Sequence, residues 1–143
     1  EPMIMPYIDA YTQHVIFADV QGNVALFDLK KGDEKPQRFT VDFSPRFIRT
    51  GWLESTWILA GDKGIMFQSF DDPSDRRIDR FRPEIMSIWV TGDSKTALYS
   101  LDEWAPQIFR YDIRTRKKLE PIRVRGVTMP AMLRMGSNNS ICY

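Results

Sequence analysis

His14 is the only histidine of the 143-residue chain and Cys142 the only cysteine, so the side chains most used for proton transfer and nucleophilic attack at neutral pH occur once each. A Ser-His-Asp hydrolase would have to use His14. No Gly-x-Ser-x-Gly elbow is present, and this histidine opens the strand pattern "HVIFA", where a packed or solvated ring is the better reading. One cysteine excludes an internal disulfide and every cysteine-cluster metal site. The three carboxylates of "DDPSD" (71–75) lack the glycine and distal glutamate of a calcium loop and read as a polar turn. "GDKG" (61–64) is too short, and lacks the following helix, for a phosphate loop. "NNS" (138–140) matches a glycosylation triplet but reads as a hairpin turn. No catalytic grouping, metal site or cofactor is expected.

Two features point to binding. Between Arg110 and Arg125 lie Arg110, Arg114, Arg116, Lys117, Lys118, Arg123 and Arg125 against Asp112 and Glu120. Such a surplus reads first as a solvated outer hairpin. The alternative is an RNA or phosphate site built on Arg114, Arg116, Lys117, Lys118, Arg123 and Arg125, with an affinity that falls steeply as salt rises. The second feature is Trp104 in "LDEWAPQ", a large ring in a turn beside Pro106. A loop tryptophan is the kind of residue that anchors a partner, with packing on a neighbouring element as the alternative. Trp52, Trp57 and Trp89 fall in strand patterns and are expected in the core.

Composition sets the frame. With 43% apolar and 27% charged residues the chain is globular and of one-domain size. Twenty basic against 19 acidic residues give a net charge of +1, so no global field favours nucleic acid or an anionic membrane. No run approaches the ~18 apolar residues of a membrane span, and no charged-then-apolar leader is present. A single cysteine fits a reducing compartment, so an intracellular setting, cytoplasmic or nuclear, is expected. The chain opens on Glu1 rather than methionine, as expected of a processed product or a piece of something longer.

The elements that would position these residues repeat. "QHVIFADVQGNVALFDLKKG", "STWILAGDKGIMFQSFDD" and "KTALYSLDEWAPQIFRYDIRTRKK" each read as two apolar strands about a turn, with Val24, Ile65 and Ile108 opening equivalent strands at a period of about 42 residues. Asp19, Asp62 and Asp102 fall in the turns, where aspartate can bond local backbone, and Gly22 and Gly64 are expected to tolerate positive φ. Further strands fit before and after each hairpin, giving four per unit. Val24, Ile65 and Ile108 point to one face; Ala25, Met66 and Phe109, then Phe27, Gln68 and Tyr111, point to the other. Both faces are largely apolar, which requires packing on both sides. Helical periodicity is absent.

Four-stranded units of this period resemble the WD-repeat β-propellers. The resemblance covers nearly the whole chain at the level of pattern. Phe27-Asp28 and Tyr111-Asp112 stand where that family has Trp-Asp, the second unit has Gln68-Ser69 there, and no Gly-His dipeptide occurs. The Asp-His-Ser/Thr-Trp network of well-formed repeats is therefore not carried over. The expected fold is an all-β propeller segment of about three and a half blades, covering approximately 1–42, 46–82 and 85–125 with a half blade at 129–143, and part of a larger propeller. The missing strands are expected from another chain or from the remainder of its own propeller, meeting Ile141 and Tyr143 at one edge and the region of Ile4 and Tyr7 at the other. The resemblance implies a non-catalytic scaffold whose loops on one face recognise another protein. Trp104, Arg46, Lys63 and Glu84 are the expected contact residues, and nucleic acid is the less favoured partner. A propeller enzyme would need carboxylates converging on the axis, where Arg46, Arg49, Glu84 and Arg134 are poor material. A sandwich or barrel is the alternative fold.

Overall fold

A computed structural model describes residues 4–32, 34–81, 83–102, 107–123, 134–135 and 141–142. The first sheet holds β1 (Ile4–Asp9), β2 (His14–Asp19), β3 (Asn23–Asp28) and β4 (Gln37–Thr40). The second holds β5 (Pro45–Gly51), β6 (Thr56–Gly61), β7 (Gly64–Ser69) and β8 (Arg76–Arg80). The third holds β9 (Ile85–Val90), β10 (Thr96–Leu101), β11 (Gln107–Asp112) and β12 (Lys117–Arg123). Each is an antiparallel meander, and β13 (Arg134–Met135) pairs with β14 (Ile141–Cys142). Short 3-10 turns at Leu29–Lys31 and Trp52–Glu54 are the only helical elements among the described residues.

Strand alternation explains how the sheets stack. Val24 and Leu26 point to the second sheet and join Ile16, Ala18, Trp57, Leu59 and Met66 in one buried cluster. Ile65 and Phe67, from the places of Val24 and Leu26 one unit on, point to the third sheet and join Ile58, Ala97, Tyr99 and Tyr111 in the next. The second sheet is thus covered on both faces, and β6 is buried along its whole length, as two apolar faces require. The first strands of successive sheets lie side by side, β1 by β5 and β5 by β9.

The links between sheets cross the ends of the hairpins. Residues 41–44 run so close to the first two units that a Cβ on Gly22 would meet the Val41 carbonyl oxygen at 2.2 Å, and one on Gly61 the Ser44 carbonyl oxygen at 2.0 Å. Gly22 also has φ +88°, as its turn role predicts. Gly64 departs from that expectation: among the described residues the positive-φ glycines are Gly22 and Gly32, and Gly64 is needed because its Cβ would lie 2.7 Å from the Phe43 ring. The turn aspartates differ in the same way. Asp19 Oδ1 accepts from the Gln21 and Asn23 N–H groups at 2.9 Å, whereas Asp62 Oδ1 accepts from Ser44 in the link at 2.8 Å.

Two side chains fall on the other side of expectation. Trp57 is fully buried, but Trp52 is 41% exposed, because the chain leaves β5 at Gly51 and turns it outward on a 3-10 turn. Tyr7 packs toward the second sheet, its hydroxyl 3.2 Å from Thr50 Oγ1, instead of facing outward. The outward face of the first sheet carries Pro6, Ile8, Val15, Phe17, Ala25 and Phe27. Ile141 has no described side chain and Tyr143 lies outside the described residues.

Candidate interaction face

In an antiparallel meander the links between sheets and the middle turn of each unit share one side, here the upper face; the first and last turns share the lower. On the upper face a groove of about 370 Å³ opens between the second and third sheets, lined by Phe81, Pro83, Tyr99, Leu101, Gln107, Phe109 and Lys118. Its wall is aromatic: Tyr99 stacks on Phe109 at 5.3 Å between centroids, and Phe81 lies 5.6 Å from Tyr99. The Lys118 ammonium sits 5.1 Å from the Phe81 centroid, so a cation stands at an apolar cleft.

Three of the expected contact residues surround this end of the molecule. Arg46 Nη1 donates to Glu84 Oε2 at 2.6 Å, tying the start of β5 to the link before β9, with both side chains almost half exposed. Such an exposed pair adds little stability and stays available to a partner. Lys63 is exposed in the turn before β7, and its carbonyl accepts from the N–H of Phe81 at 2.8 Å, which fixes the groove wall. Trp104 lies outside the described residues. Sequence reasoning missed Phe81, Tyr99 and Phe109; the signal available was an aromatic residue on the same side of three neighbouring strands or links.

The β-propeller domain of Cps50 (Swd1) from Myceliophteria thermophila superposes on this arrangement with a TM-score of 0.69 at 12% sequence identity, over 95% of this chain and 48% of that one. The fold is a β-propeller. Each four-stranded sheet is a blade, and the chain spans about half the length of that propeller domain. No family model matches the sequence, and no curated protein matches it.

The basic segment is divided between contacts within the protein and exposed side chains. Arg116 forms a two-pronged ion pair with Asp75 of the second blade, its side chain only 11% exposed, and Arg110 Nε donates to the Glu120 carbonyl at 2.7 Å. Lys118 lies over Phe81 and Tyr111. Arg114, Lys117 and Arg123 are exposed, and Arg125 lies outside the described residues. A run of charge in sequence is therefore not one free patch in space. Arg49 is spent similarly, donating to the Ile88 carbonyl at 3.0 Å and lying 5.1 Å from the Trp89 centroid. Among the described residues no group of three or more His, Cys, Asp or Glu side chains converges as metal ligands would.

His14 is a packed histidine. It is buried between the first two blades, stacks on Phe70 at 4.3 Å and lies 3.9 Å from Asp28 Oδ2. Burial outweighs the attraction of Asp28 and holds the imidazole pKa below its ordinary 6.5. The unfolded chain then binds a proton near that value which the folded chain still refuses, so stability is full above it and falls as pH drops through it toward the folded value. Urea midpoints should decrease from neutral to mildly acidic buffer, and His14→Gln should shrink that decrease. An equal decrease in the variant would contradict the assignment.

The lower face carries an exposed pair that sequence reasoning placed in the core or passed over. Tyr11 and Trp52 stack at 4.8 Å across the first two blades, with Tyr11 74% and Leu53 56% exposed. The first turn of each blade closes on a non-glycine residue at positive φ, namely Gln13, Ser55 and Ser94.

Proposed function

We propose that the chain is a non-catalytic protein–protein interaction scaffold, the propeller portion of a larger protein or complex. Its blades would run over approximately 1–42, 46–82 and 85–125, with a half blade at 129–143. The partner sits on the upper face, an apolar side chain entering the aromatic groove and its polar neighbours meeting Arg46, Lys63, Glu84 and Trp104. The observation that carries this reading is the groove itself: aromatic walls with a cation at the edge suit a protein anchor residue better than a small polar substrate. The engagement of Arg116 with Asp75 and of Lys118 with Phe81 takes two of the six patch residues and weighs against the RNA- or phosphate-binding reading. An intracellular setting, cytoplasmic or nuclear, belongs to the same proposal and rests on the single cysteine.

The test is site-specific photocrosslinking in cells. A crosslinker at Lys63 or Gln107 should trap one and the same protein, a crosslinker at Arg114 should not, and Arg46→Glu with Lys63→Glu should weaken capture at Gln107 about tenfold or more without shifting the melting temperature. Equal trapping at Arg114, or trapping of nucleic acid in place of protein, would overturn the proposal.

A further inference from the structure

The outward face of the first blade has the same layout as a face that is covered elsewhere in this molecule. Strand register makes the correspondence: Phe17 pairs with Ala25 and Val15 with Phe27, as Tyr99 pairs with Phe109 and Ala97 with Tyr111. Phe17 and Phe27 therefore occupy the places of Tyr99 and Tyr111. In the third blade those positions are 2% and 0% exposed under Ile58, Ile65 and Phe67 of the second blade. In the first blade Val15, Phe17, Ala25 and Phe27 are each only half-buried and Ile8 is 69% exposed. A hollow of about 140 Å³, bounded in part by Phe17, Ala25 and Arg38, opens on that face.

The two faces differ in one chemical respect. Tyr111 donates its hydroxyl to Asp79 Oδ2 at 2.5 Å, across to the outermost strand of the blade that covers it. At the matching position of the second blade, Gln68 Nε2 reaches Gln37 Oε1 on the outermost strand of the first blade at 3.2 Å. Both covered faces thus use this position as a polar pin to the preceding blade. Phe27 has no polar atom to offer. A carboxylate or amide on a covering outer strand would lose hydration there and find no partner at Phe27, keeping only what its own strand supplies, as Arg77 does for Asp79 at 3.2 Å.

We infer that the first blade is covered by a propeller blade borne on polypeptide outside these 143 residues. Its inner strands present apolar side chains like Ile58, Ile65 and Phe67, and its outermost strand carries an apolar residue where the second blade has Asp79. Continuity with the two blade interfaces already formed selects this occupant over a helix or a loop. The inference rests on the reading of the chain as part of a larger propeller and adds the chemistry of the missing contact.

The molecule supplies its own probe. A copy of residues 45–84 fused directly ahead of Ile4, with residues 4–143 behind it, sets a second-blade surface against Val15, Phe17 and Phe27. Three proteins are compared with the parent: the fusion, the fusion with Asp79→Leu in the copy, and the fusion with Phe27→Tyr in the parent part. Fluorescence of a hydrophobic dye should fall severalfold on fusion. Asp79→Leu in the copy should raise the melting temperature by about 3–5 °C over the plain fusion, and Phe27→Tyr should also raise it by restoring the hydroxyl–carboxylate pin. Unchanged dye binding and melting in all three fusions would overturn the larger-propeller reading. A fall in dye binding with no advantage for Asp79→Leu would leave that reading intact and overturn the inferred apolar contact.

Discussion

Gly61→Ala is expected to lower folding stability by about 3 kcal/mol, the upper end of the ordinary cost of forcing extra volume into a close-packed site. The added methyl would sit 2.0 Å from the Ser44 carbonyl oxygen and 2.9 Å from the Phe43 ring. A ring can tilt, but the Ser44 carbonyl is held: it accepts from the Asp62 N–H at 3.2 Å, while the Ser44 N–H donates to Asp62 Oδ1 at 2.8 Å. Relief therefore requires the link between the first two blades to move, and with it Phe43, which plugs the upper end of their shared core. Gly32→Ala is the control. Gly32 has φ +62° and ψ −116°, outside the left-handed helical basin, with nothing among the described residues within 4 Å of its would-be Cβ, so a backbone penalty of about 1–3 kcal/mol applies there without a clash. Urea denaturation of both variants at low protein concentration separates the two costs. A Gly61→Ala midpoint equal to that of the parent protein would mean that the link does not cross Gly61 as described.

Trp57→Ala is expected to cost about 3–5 kcal/mol, the range for removing a large aromatic from a packed core. Trp57 is 0% exposed between the first two blades, 6.1 Å from the Phe39 centroid and 6.5 Å from that of Phe70. Its indole N–H has no partner among the described residues. Trp57→Phe should accordingly cost much less, because it removes an unsatisfied donor while keeping most of the ring. Thermal melts of the two variants read this directly; a phenylalanine variant as unstable as the alanine one would show that the indole is held by more than packing.

The parts of the fold that were legible in the sequence are those set by strand periodicity. Val24, Ile65 and Ile108 hold equivalent places in β3, β7 and β11, and the assignment of alternate residues to opposite blade faces follows from pairing alone. Asp19 and Gly22 were legible because their turn is local. Gly61 and Gly64 were not, since what forbids a side chain there is a link some 20 residues earlier. Trp52 escaped for a different reason. Its turn ends on Ser55 at φ +46°, and serine carries no sequence signal for that conformation. The candidate face divides likewise. Lys63 and Glu84 were visible as charged residues in turns and links, whereas the groove between them depends on Phe81, Tyr99 and Phe109 meeting across two blades.

Size-exclusion chromatography with light scattering, run with a hydrophobic dye on the isolated chain, tests the larger-propeller account most directly. With Ile8, Phe17 and Phe27 on an uncovered blade face, the chain is expected to elute above its 16.7 kDa monomer mass and to bind dye, and Phe17→Glu combined with Phe27→Glu should reduce both while keeping the β-sheet signal. A monodisperse 16.7 kDa monomer that binds no dye would contradict it.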